Sequence, residues 1–111
     1  MSYDELKSLI DQNLTVYGRD FSVQLIQNDN QKIQETPAEL NIIIFLKKAE
    51  QDKPTRHFTV CIHDKITSSL YYFDPLVIDD LRKRNLAQIK EYSTRASPYY
   101  HIKFKHNKNK W

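Results

Sequence analysis

The run Ile42–Leu46, extended backwards through Asn41 to Leu40, is the stretch that most limits how this chain can fold. It is too short to cross a membrane, which takes about 20 apolar residues. It is rich in β-branched side chains, and successive side chains of a strand point to opposite faces. An apolar run without alternation therefore has to be covered on both sides, which is the pattern of a central strand. With 40% hydrophobic and 12% aromatic residues in 111, there is material for one modest core and one domain. One glycine, Gly18, excludes a glycine-rich nucleotide-binding loop. One cysteine, Cys61, excludes an internal disulfide and any multi-cysteine metal centre.

Around that strand the chain reads as α+β. Ser2 and Glu5 have the spacing of a capping box, and Leu6, Leu9, Ile10 and Leu14 recur at helical intervals, predicting a helix over 3–15 that stops near Gly18. Phe21, Val23 and Leu25 alternate with polar residues, as in a half-exposed strand. Residues 28–38 are polar and carry turn formers, so they read as a loop. Next comes a strand with Phe58, Val60 and Ile62 on one face and His57, Thr59, Cys61 and His63 on the other. A turn over 64–67 returns the chain into 69–73, and Asp74-Pro75 ends that strand. Ile78, Leu81, Ile89 and Tyr92 predict a second helix, with Asp79 and Asp80 in its first turn. A last strand is expected over 99–104, with Ile102 and Phe104 on one face and Tyr99, His101, Lys103 and Lys105 on the other. The expected fold is a mixed or antiparallel sheet of about four or five strands. One domain spans 1–111, with an N-terminal helical part over 1–18, an α+β body over 19–105 and a basic tail over 106–111.

Charge is uneven. The formal net is +3, and the last eleven residues hold Lys103, Lys105, Lys108 and Lys110 with no acid. Removing those four charges leaves the first hundred residues at −1. The acidic start Met-Ser-Tyr-Asp-Glu lacks the basic-then-apolar order of a signal peptide, so the expected location is intracellular, in a cytoplasm or inside a host cell. No membrane association, cofactor or metal is expected. A metal held by His57, Cys61 and His63 fails on reach, because the strand holds the outer two too far apart.

The candidate chemistry lies on the hairpin. His57 opens one strand and Asp74 ends the next, so the turn folds the two together. A carboxylate beside an imidazole fixes its tautomer and stabilises the imidazolium when the ring takes a proton.

The segment from His57 to Asp74 resembles the histidine–acid hairpin of the ubiquitin-like-protein proteases, which include the SUMO proteases, their bacterial effector relatives and the adenovirus protease. In that family a histidine followed by an aromatic residue opens a strand, a short charged turn follows, and an aromatic-rich strand ends in aspartate. Here seventeen positions separate His57 from Asp74, Phe58 stands where the family usually has tryptophan, and Asp74-Pro75-Leu76 leads into a helix. The resemblance covers about residues 40–105. It implies a hydrolase-type arrangement with His57 as general base and Asp74 as the orienting acid. It also implies a cysteine nucleophile at a helix N-terminus after the last strand, preceded by a glutamine. This chain has no cysteine after Cys61 and no glutamine after Gln88. Cys61, on a strand, lacks the helix N-terminus that would lower its pKa. The expectation is a truncated or catalytically incomplete cysteine-protease-like domain that binds a ubiquitin-like or acidic protein rather than cleaving it.

Two other readings stand beside it. The chain has the size of a small interaction protein such as an immunity protein or an inhibitor from a phage or effector. Alternatively, Tyr99, Tyr100, Phe104 and Trp111 among Lys103, Lys105, Lys108 and Lys110 resemble the aromatic-and-cation pattern of a weak single-strand nucleic-acid binder. Arg82, Lys83 and Arg84 add a short basic cluster. Oligomeric state is not legible in the sequence.

Overall fold

A computed structural model describes residues 2–16, 18–50, 55–74, 78–96 and 103–106, the last four and 14–16 by backbone course alone. The helix α1 (Tyr3–Val16) is followed by the strands β1 (Phe21–Ile26), β2 (Leu40–Lys48), β3 (Arg56–Asp64) and β4 (Ser69–Phe73). The helix α2 (Asp79–Ala96) and the strand β5 (Lys103–His106) complete the order. The fold is α+β. The Ser2 hydroxyl accepts the Glu5 amide at 3.2 Å, capping α1, and Gly18 takes the left-handed φ of +66° suited to a helix end.

The strands lie in sequence order across one sheet. The inner pairs β2–β3 and β3–β4 are antiparallel, and the outer pairs β1–β2 and β4–β5 are parallel. A parallel pair needs a crossover, since its second strand must start again at the same end. Between β4 and β5 that crossover is α2. Between β1 and β2 it is a non-helical strap over 27–39.

The strap solves its backbone hydrogen bonding with the polar residues that make it read as a loop. Asn28 Oδ1 accepts the amides of Asn30 and Gln31, both at 3.1 Å. Gln24 grips Gln34 twice, accepting its amide at 2.8 Å and donating to its carbonyl at 2.9 Å. Amid these, Ile33 is 1% exposed and joins Ile43, Phe45, Cys61, Leu70, Tyr72, Ile89 and Tyr92 in the main core. Strap and α2 thus cover one face of the sheet side by side, tied by Arg95 Nη2 to the Ile33 carbonyl at 2.6 Å.

The opposite face is more thinly covered. Ile42 and Ile44 are buried there, but Val60 and Ile62 are half-buried and Phe73 is exposed. An apolar cleft of ≈ 430 Å³ lies between this face and α1, with Leu6 and Ile10 on the helix side. The 40–46 run is the doubly covered centre that its composition predicts, with Ile43, Ile44 and Phe45 fully buried.

Of the final strand expected over 99–104, the structure describes Lys103–His106. Residues 99–102, 107–111 and Pro75–Leu76 lie outside the described residues. Among these are Tyr99, Tyr100, His101, Ile102, Lys108, Lys110 and Trp111. Lys103, Phe104 and Lys105 are placed only as backbone of β5.

Candidate functional site

The β3–β4 register determines what the hairpin brings together. Val60 pairs with Phe73 at the last rung of β4; carried one step past the strand end, that register would set Asp74 opposite Thr59 and diagonal to His57. Diagonal neighbours on one face of an antiparallel pair lie about 7–8 Å apart, within reach of long or ring side chains. By strand alternation both belong to the face covered by α2, with Thr59, Cys61 and Tyr72. Asp74 is 5% exposed. His57 is half-buried, with its Nε2 atom shielded from solvent. Phe58 neighbours His57 in sequence only: it points to the opposite face, paired with Leu46 of β2.

A buried polar layer lies under this pair. Asn85 of α2, 1% exposed, donates through Nδ2 to Thr59 Oγ1 at 2.8 Å and to Tyr72 Oη at 3.3 Å. Burial raises the Tyr72 phenol pKa; Asn85 works against that shift, and the nearby Asp74 charge adds to it. Alternation along β3 places Thr59 on this face, but nothing in the sequence pattern singles out Asn85 or Tyr72 as its partners. The available signal was Asn85 itself, a polar residue in the stripe Leu81, Ile89 and Tyr92.

The remaining sequence candidates on this face are structural. Cys61 is fully buried, and desolvation pushes its thiol up to about 12. A thiol held protonated is not a nucleophile. His63 shares the face with Cys61, but its Nδ1 lies 2.6 Å from Tyr92 Oη in a buried site. Burial first, and Lys65 second, lower its pKa. Among the described residues no three His, Cys, Asp or Glu side chains converge as a metal ion requires, and no helix is long and apolar enough to cross a membrane.

The basic cluster of α2 is split three ways. Arg82 pairs with Asp79 at 3.2 Å, Lys83 faces solvent, and Arg84 turns inward. Arg84 Nη2 and Nη1 donate to the Lys48 carbonyl at 2.6 and 3.3 Å. At the same end of the sheet Lys47, 2% exposed, bonds Asp29 at 2.9 Å and also Gln88. Burial lowers the Lys47 pKa, against the opposing pull of Asp29. Lys47 is the direct cross-strand partner of His57. The candidate pair therefore sits at a sheet end where several cations gather.

Compared with models of known protein families and with curated proteins, the chain matches none. What the site can do must follow from its own chemistry. An imidazole and a carboxylate on one face can orient and relay a proton. The single thiol of the chain is buried away from any such use.

Proposed function

We propose that this chain is a cysteine-protease-like domain of the ubiquitin-like-protein-protease type that engages its target without cleaving it. In this reading His57 holds the place of the general base and Asp74 that of the acid orienting it. The observation that supports it is the last β3–β4 rung, Val60 with Phe73, which leaves His57, near the start of β3, and Asp74, just past the end of β4, at the same end of the hairpin. By itself the chain offers no nucleophile: Cys61 is its one cysteine, fully buried and with a raised pKa. No acyl-enzyme can then form. The proposed partner is a ubiquitin-like protein, whose docking would bring its extended C-terminal segment past His57.

The test is a titration of the isotopically labelled chain with ubiquitin and with SUMO, read by chemical-shift changes. A long-range proton–nitrogen spectrum of the histidine rings accompanies it. The expected result is saturable shifts around the hairpin opening, one fixed tautomer of His57 that loses its preference in Asp74→Asn, and no release of a fluorophore from ubiquitin or SUMO C-terminal esters or amides. Turnover by the parent chain overturns the reading. So does an unchanged His57 tautomer in Asp74→Asn, or the absence of binding to either protein.

A further inference from the structure

Beside the His57 end of the sheet lies a second feature, independent of any protease-like role. The ends of β2 and β3, the start of the strap and the first half of α2 enclose an open cleft of ≈ 370 Å³. Four cations line it, Lys47, Lys48, Arg56 and Arg84, against two acids, Asp29 and Glu50. Asp29 is already committed. Its Oδ1 bonds Lys47 at 2.9 Å, and its Oδ2 lies 3.7 Å from Arg84 Nε.

Lys48 and Arg56 are the unusual members. They are direct cross-strand partners in the β2–β3 register, and like charges placed directly opposite are destabilising. Among the described residues neither forms an ion pair with a carboxylate. Arg56 instead bends back to give Nη1 to the Leu46 carbonyl at 3.3 Å. Arg84 is fixed by its two bonds to the Lys48 carbonyl and flanked at Nε by Asp29 at 3.7 Å and Asp80 at 3.9 Å, so its partly balanced guanidinium is held at the cleft wall and needs no ordering when a ligand arrives. Lys47, almost fully buried, anchors the strap through Asp29 and adds its charge from beneath.

A like-charge cross-strand pair at the mouth of a cleft, with a fixed guanidinium on its wall, is relieved by an oxyanion bridging the cations. Arginine suits such a ligand because its planar fork matches carboxylate and phosphate oxygens. We propose that this cleft binds an oxyanion, with Lys48 and Arg56 as direct contacts and Arg84 as the preset charge behind them. The shared chemistry is a group with two or more anionic oxygens, supplied either by the carboxylates of an acidic peptide segment or by a phosphate group.

The experiment titrates the full labelled chain, at low and moderate salt, with inorganic phosphate in one arm and with an acetylated hexaglutamate peptide in the other. Shifts are followed at the Lys48, Arg56 and Arg84 backbone and side-chain resonances. Saturable shifts at these three residues in the phosphate arm assign a phosphate ligand, and saturation in the peptide arm alone assigns an acidic segment. In the arm that saturates, Arg56→Gln and Lys48→Gln each weaken binding about tenfold, as loss of a hydrogen bond to a charged group does. Both variants keep the parent spectrum elsewhere, since neither side chain is in the core. The assignment is overturned if neither arm saturates, or if both variants bind as the parent does. It is also overturned if the shifts spread evenly over surface lysines. Binding to ubiquitin or SUMO plays no part in these readouts, so a failure here is distinct from a failure of the protease-like reading.

Discussion

The ring of His63 stands edge-on to that of Tyr92, with centroids 5.4 Å apart and planes at 82°. Its Nδ1 lies 2.6 Å from the Tyr92 hydroxyl. His63 is 1% exposed and Tyr92 fully buried, so the contact pins α2 to the centre of the sheet without solvent. With the phenol donating to Nδ1, the hydrogen of the neutral ring resides on Nε2, which has no partner and is also buried.

This contact should make the fold acid-sensitive. Burial lowers the His63 pKa below its ordinary 6.5, with Lys65 adding to the shift and Asp64 and Glu35 opposing it. The unfolded chain therefore binds the proton more readily than the folded one. The stability this represents is complete above about pH 6.5 and is lost as pH falls through the folded-state pKa. Urea unfolding at a series of pH values should show a flat midpoint above neutrality and a decline on acidification. In the double variant His63→Leu with Tyr92→Phe the decline should be shallower. A slope between pH 7 and 5 identical in parent and double variant would show that His63 does not carry it.

Cys61 should behave as an inert core residue. Its thiol is fully buried and pushed up to about 12. Labelling by a maleimide or by a ubiquitin-derived cysteine probe should proceed no faster than the chain opens, and should speed up with urea in step with unfolding. His57→Ala and His63→Ala should leave the rate constant per opened molecule unchanged. Cys61→Ser should lower stability by about 1–3 kcal/mol, because a hydroxyl takes the place of a small apolar group in a dry site. Rapid stoichiometric labelling at neutral pH, abolished by His57→Ala, would place the nucleophile here after all.

What could be read from the chain follows the strength of local patterns. Leu40–Leu46 announced the central strand because it has no polar side to expose. The 57–74 hairpin was legible because its alternation and its turn agree, and the Asp64 carboxylate does accept the Ile66 amide at 3.0 Å in that turn. Ile33 was not legible. It is one apolar residue in a polar strap, and it is buried only because the β1–β2 crossover has to lie against the sheet. Lys47 and Asn85 were missed for a related reason. Each is polar by composition but placed by its neighbours' period on a covered face, where Asp29 and Gln88, or Thr59 and Tyr72, satisfy it. For the candidate site, the sequence supplied His57 and Asp74 but not their surroundings. Those surroundings come from β2, α2 and the strap, all distant in the chain.

Lys47 offers the sharpest test of what the polar end of the sheet contributes. Its ammonium is nearly inaccessible, rests 5.1 Å from the Phe45 ring centroid and is paired with Asp29. A buried charge pair is often replaceable by apolar side chains at little cost, because the Coulombic gain barely offsets desolvation, whereas removing one partner leaves the other charge stranded. The two substitutions should therefore differ. Lys47→Met keeps the volume, leaves a half-exposed Asp29 that water can solvate, and should change stability by less than about 1 kcal/mol in either direction. Asp29→Ala leaves the buried ammonium without its counter-charge and should cost about 1–3 kcal/mol. That is less than the 3–5 kcal/mol typical of a fully buried pair, because Asp29 itself is half open to solvent. Chemical denaturation of both variants at neutral pH decides the matter. If Lys47→Met proves the more damaging of the two, the ammonium is a net stabilising element of the strap. Its bond to Gln88, more than its pairing with Asp29, would then hold residues 27–31 against α2.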